Sequence, residues 1–151
     1  MSKIKSFRGQ MKDGAVDQVF LHTNDGSTGY RITKISGIAK DPGTVDAEHV
    51  FKIYKTPQTT ATAEIDFSDN TLVAIMYYTN RNDTLQSGMN VITFENEIFN
   101  QDLYITHNEI VGAGTSGTSG NYYIELEQFK LDLSNNTMAT LKDIRNETLA
   151  L

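Results

Sequence analysis

A chain of 151 residues with 38% apolar content can bury one substantial core, but many of its strand faces must be wet. Cysteine is absent, which excludes disulfides and thiolate metal sites, and no apolar run approaches the ~20 residues that span a bilayer as a helix. The net charge of −6 is divided unevenly: Lys3, Lys5, Arg8 and Lys12 give the first 12 residues +4, while nine basic and 19 acidic residues leave −10 on the rest. An acidic body repels nucleic acid, so neither a nucleic acid nor a membrane is an expected partner. The opening "MSKIKSFRGQ" has no apolar signal region, and synthesis and assembly in the cytoplasm are expected.

Residues 1–12 read as a basic N-terminal arm in front of one domain, 13–151. Lys3, Lys5, Arg8 and Lys12 supply its charge, and Ile4 and Phe7 are its apolar anchors on an acidic neighbour. The simpler alternative is a solvated tail. "VDQVFLHT" alternates Val19 and Leu21 against Phe20 and His22, and "NDGS" follows, then "TGYRITKIS". Asp25-Gly26 is the turn chemistry of a tight hairpin, so these two strands are expected to pair.

The second of these strands changes phase. Tyr30 and Ile32 share one parity and Ile35 has the other, with Thr33-Lys34 at the switch. One extra residue, a β-bulge, would keep all three on the core face. "NYYIELEQFKLDL" (121–133) shows the same change, with Ile124 and Leu126 even, Phe129, Leu131 and Leu133 odd, and Glu127-Gln128 between. A bulge is expected there too. Further strands are "HVFKIYKT" (49–56), "LVAIMYYT" (72–79), "MNVITFEN" (89–96) and "DLYITHNEI" (102–110), separated by turn-rich joins. "LVAIMYY" is apolar on both faces and is either a central strand or one that meets another subunit. The sum is an all-β domain: a curved β-sandwich or jelly roll with long bulged strands. Met138, Leu141 and Ile144, with Asn135 or Asn136 as a cap, read as a short C-terminal helix or an extended tail.

Candidate chemistry is thin. His22, His49 and His107 are scattered among strands without ligand spacing, and ordinary strand histidines are the favoured reading. "GAGTSGTSG" (112–120) lacks the Lys-Ser/Thr ending of a phosphate loop. Asp66 and Asp69 suggest a calcium loop only faintly, since its full pattern is missing. No Ser sits in a nucleophile elbow. The expectation is a protein that is not an enzyme and takes no metal or other cofactor. In the pairs Tyr77-Tyr78 and Tyr122-Tyr123, adjacent residues point to opposite faces. One ring of each pair can enter the core while the other faces a partner, and Tyr77 and Tyr122 are the candidate partner-binding members.

"KIKSFRG", "VFLHTNDGSTGYRITK", "VFKIYKTPQ", "FNQDLYIT", "NYYIELEQFKLDL" and "ATLKDIRN", in that order, resemble a group of small virion structural proteins of marine tailed phages. The resemblance implies a β-sandwich or jelly-roll virion subunit made in the host cytoplasm, with no catalytic residue carried over. Within that class the expectation is a capsid decoration (cement) protein that binds the major capsid protein or other virion proteins as a homo-oligomer, most simply a trimer. The alternatives are a tail, collar or fibre-base subunit, and a carbohydrate-binding β-sandwich for host adsorption.

Overall fold

The structure, a computed structural model, describes residues 3–23, 25–43, 46–80, 89–94, 98–112 and 116–131. These residues form eight strands and no helix: Lys3–Met11 (β1), Val16–Val19 (β2), Thr28–Ala39 (β3), Ala47–Tyr54 (β4), Leu72–Asn80 (β5), Met89–Thr93 (β6), Leu103–Val111 (β7) and Gly120–Lys130 (β8). The ladders are antiparallel throughout, in sheets ordered β1-β8-β3 and β2-β7-β4-β5-β6. First pairs with last, second with seventh and fourth with fifth, a nested antiparallel arrangement, while β3 pairs with β8 and β6 with β5. The chain is thus a β-sandwich, as its alternation and turn spacing foretell. The expected C-terminal helix or tail lies outside the described residues.

Apolar residues of one parity fill the space between the sheets. From the three-stranded sheet come Met11, Tyr30, Ile35, Ala39, Tyr122, Ile124 and Leu126; from the other come Val19, Phe51, Ile53, Met76, Tyr78, Leu103 and Ile105. The phase change in β3 is a bulge where the alternation places it. Ile32 pairs with Leu126 and Lys34 with Glu125, which leaves Thr33 as the extra residue. Tyr30 and Ile35 therefore stay buried on the same face.

The matching expectation for β8 is corrected. Its register runs without a break through Glu127 and Gln128 on both neighbours, so there is no bulge. Strict alternation sends Gln128 inward with Tyr30 and carries Phe129 to the outer face opposite Gly29. Gly29 makes this possible: a Cβ there would stand 2.8 Å from a Leu131 methyl and 3.1 Å from the Phe129 ring. Phe129 and Leu131 occupy the room that the missing side chain leaves.

The expected hairpin between residues 16–23 and 28–36 is also corrected. β2 pairs with β7 in one sheet and β3 with β8 in the other. The turn itself is present, with Gly26 at φ 66° and its N–H donating to Thr23 O. Asp102 explains the crossing. One of its carboxylate oxygens accepts from the N–H groups of Leu21 and His22 at 2.8 and 2.9 Å, and from His22 Nδ1 at 2.7 Å. Gln18 Nε2 donates to the other at 2.8 Å. The chain after Val19 is held by this side chain instead of a ladder, and it turns over to the second sheet.

The two-sided strand β5 is an interior strand between β4 and β6. Leu72 and Ile75 of β5 form a second apolar cluster with Tyr54, away from the main core, and Phe94 and Tyr104 flank it. Residues of the β4–β5 connection help to cover it. Buried Lys52 donates to Thr62 Oγ1 and Glu64 O, and Phe67 packs edge-on against Phe94. The second apolar face is thus satisfied within the chain.

The segment read as an arm is β1, paired with β8 at nine consecutive positions. Phe7 packs on the core, Met11 is 2% exposed, and Lys12 follows directly. Removing residues 1–12 would take out an edge strand rather than trim a tail. Met11→Ala should cost about 2–5 kcal/mol, whereas Ile4→Ala, at a position 61% exposed, should stay within about 0.5 kcal/mol. Urea unfolding of the two variants measures the contrast.

Candidate functional site

Polar side chains concentrate on the outer face of the three-stranded sheet and inside the sandwich, besides the group around Asp102. On the outer face, register sets cross-strand rows. Ile4, Glu127 and Arg31 form one; Ser6, Glu125 and Lys34 the next; then Arg8, Tyr123 and Ser36; and finally Gln10, Asn121 and Ile38. Arg31 pairs with Glu127 at 2.8 Å, and Tyr123 Oη donates to Glu125 at 2.8 Å. The Lys34 ammonium stands 5.8 Å from the Tyr123 ring centroid. Gln10 Nε2 donates to Asn121 Oδ1 at 3.1 Å. Between the last two rows lies a groove of ≈ 680 Å³ over the main chain of Gly9, Tyr122 and Gly37.

The residues singled out as partner-binding divide over this sheet and its neighbour. Ile4 and Arg8 are exposed on the outer face, while Lys3 and Lys5 are exposed along the inner side of the same edge. Phe7 is half-buried there. Tyr77 faces outward on the other sheet and donates to Glu48 at 3.0 Å. Tyr122 is the inward member of its pair: 7% exposed, packed on Phe51, its hydroxyl 3.4 Å from Asp17. Gly9 and Gly37 flank it, and a Cβ on Gly9 would lie 2.8 Å from its ring. Tyr123 is the ring that faces out. The parity of Ile124 and Leu126 carries that assignment, because Tyr122 shares it.

Inside the sandwich the register of β4, β5 and β7 unites residues far apart in sequence. His49 lies beside Tyr78 on one strand and Glu109 on the other, and Phe51 lies beside His107. His49 and His107 are wholly buried, and their rings are nearly coplanar, 6° apart, with Nδ1 of His49 3.0 Å from Nε2 of His107. His107 Nδ1 is 3.0 Å from Lys12 O, which can only accept. That nitrogen therefore carries a proton, His107 Nε2 accepts, and His49 Nδ1–H donates to it. The chain of bonds ends at His49 Nε2, which has no hydrogen-bond partner and lies 3.9 Å from Glu109. Glu109 accepts from the N–H groups of Thr118 and Ser119 at 3.1 and 3.2 Å, and its own N–H donates to Asp13 at 2.8 Å. Gly120 leaves the room: a Cβ there would stand 2.6 Å from Tyr78 Oη and 3.0 Å from His49 Nδ1.

This cluster does not have the geometry of a metal site. The two histidine lone-pair directions meet head-on over 3.0 Å, which suits a shared proton and not an ion at ~2.0 Å from each nitrogen. Among the described residues no group of three or more potential ligands converges. Asp66 and Asp69 are engaged locally, each accepting from the N–H and hydroxyl two residues on, Ser68 and Thr71. His22 stands apart with Asp102. Burial raises the Asp102 carboxyl, and its hydrogen bonds outweigh burial and hold it below its usual value. No family model matches the chain, and no curated protein does.

Burial pushes His49 down to about 4, against the pull of Glu109, and also lowers His107. Unfolding restores both to about 6.5, so between those values the unfolded chain binds protons that the folded one refuses. Stability should hold above pH 6.5 and fall as pH drops towards 4, by on the order of 3 kcal/mol for His49 alone. Denaturant midpoints across that range should fall less steeply for His49→Phe than for the native chain.

Proposed function

We propose that this protein is a structural subunit of a tailed-phage virion, a capsid decoration protein that seats on the head shell by its β1 edge. The observation that carries the reading is the charge and exposure of that edge in an otherwise acidic chain. Lys3 and Lys5 line one side and Ile4, 61% exposed, stands on the other. Charged residues pointing inward along an edge strand stop it from recruiting strands indiscriminately. They leave it suited to an acidic neighbour such as a shell subunit. The resemblance of its phrases to marine-phage virion proteins and the nested β-sandwich support the same reading. Each exposed ion pair contributes little, about 0.2–1 kcal/mol, so a trimeric subunit would gain from engaging several edges at once.

Stoichiometry in purified particles is the first test. Copy numbers comparable with those of the major capsid protein support the shell, and a small ring's worth supports the tail or collar instead. Lys3→Glu/Lys5→Glu should leave the fold intact, since both side chains are exposed. It should lower occupancy on decoration-free particles, and native binding should weaken as salt rises towards 0.5 M. Undiminished, salt-insensitive loading of the double variant would remove the edge from the interface.

A further inference from the structure

We propose that the groove between the Arg8–Tyr123–Ser36 and Gln10–Asn121–Ile38 rows binds an acidic sugar, a uronate unit of a glycan. This does not rest on the decoration reading. Along β1 Arg8 lies three residues from Lys5, roughly 10 Å, and it stands on the outer face while Lys3 and Lys5 stand on the inner side, so the two surfaces are separate.

The chemistry of the lining selects the ligand. At ≈ 680 Å³ the groove is of the size that holds small ligands. Arg31 on the same face is engaged with Glu127, and Lys34 stands over Tyr123 in the row of Glu125. The exposed Arg8 guanidinium is the cation at the groove wall, and its planar fork matches a carboxylate with two parallel bonds. The bond from Gln10 to Asn121 orients both amides. It leaves the NH₂ of Asn121, which lines the groove, as a donor, and the Gln10 carbonyl, next to it in the same row, as an acceptor. Neighbouring sugar hydroxyls, which both donate and accept, fit such a pair, and the Ser36 hydroxyl adds a third partner. The apolar walls are the Tyr123 ring, held at its hydroxyl by Glu125, and Ile38, which is 58% exposed. These suit the C–H face of a pyranose.

The same geometry argues against a peptide. The floor is the main chain around β8, whose N–H and C=O groups are used by β1 on one side and β3 on the other. Strand addition takes place in the plane of the sheet, at the outer edge of β1 or β3, and not over the face where this groove lies. Side chains must do the reading, and here they are one cation, the Asn121 amide with Gln10 bonded beside it, a hydroxyl and two apolar walls.

The test is an amide-resolved NMR titration of the full chain with trigalacturonate, in parallel with neutral maltotriose, triglutamate and inorganic phosphate. Saturable shifts at Gly9, Ser36, Gly37, Asn121 and Tyr123 with trigalacturonate, and weak or absent ones with the other three, are expected. Arg8→Gln and Asn121→Ala should each weaken binding about tenfold or more. Arg8→Gln should leave the unfolding midpoint unchanged, and Lys3→Glu/Lys5→Glu should leave trigalacturonate binding unchanged. Absence of saturable shifts at millimolar trigalacturonate would overturn the proposal. So would equal responses to maltotriose, triglutamate or phosphate, or an Arg8→Gln variant that binds as the native chain does.

Discussion

One inserted residue keeps the two halves of β3 in phase with the rest of the three-stranded sheet. With Thr33 bulged out of the ladder, Tyr30 and Ile32 before it and Ile35, Gly37 and Ala39 after it all face the five-stranded sheet. Were Thr33 in register, Lys34 and Ser36 would turn inward and Ile35 would turn to water, because a slip of one residue exchanges the faces. The outer rows depend on the same residue. Lys34 stands over Tyr123 and Ser36 lines the groove only because the bulge returns them to the face that Arg31 already occupies. The dry core and the outer face are thus two results of one backbone irregularity.

The buried histidine cluster acts at the other level, between connections rather than strands. His107 bonds to Lys12 O, while Gly14 N–H donates to His107 O and His107 N–H to Ala15 O, so the β1–β2 turn is fastened to β7 on several sides. Glu109 fastens the run into β8 through Thr118 and Ser119. Ser119 sits at φ 80°, a conformation uncommon outside glycine, which these bonds help to hold. A carboxylate and two neutral imidazoles in a core are costly unless bonded, and here most of their polar atoms are. The exception, His49 Nε2 facing Glu109, is where acid acts on the molecule.

What could be read in advance follows from how local its cause is. The bulge in β3 is a parity error in three apolar residues, and the strand itself records it. The similar error in β8 has a different cause, the empty space over Gly29, about a hundred residues away in the chain; no local pattern distinguishes the two. Asp25-Gly26 marks a turn correctly, but whether the flanking strands pair depends on Asp102 claiming the backbone after Val19. His49 and His107 are scattered in the sequence, and their meeting, with Glu109 beside them, is a matter of register between β4 and β7. The tyrosine pairs were legible as one ring in and one out. Which ring of the second pair faces out is fixed by the parity of Ile124 and Leu126, a signal that was available. The basic start of the chain was legible as a charged element, and its pairing with β8 was not, since the partner lies at the opposite end of the described sequence.

That last pairing bears on how the chain acquires its shape. β4 and β5 are joined by one connection and can zip together early, whereas β1 must wait for β8, with Lys3 meeting Gln128 and Met11 meeting Gly120. Closing so long a loop precedes any reward from the contacts it makes, so a nested topology of this kind folds slowly. Of the eight described strands, β1 precedes the rest in the chain and stays without its partner until β2 to β7 have been made. The charges of Lys3, Lys5 and Arg8 disfavour wrong pairings of such a waiting strand before β8 arrives.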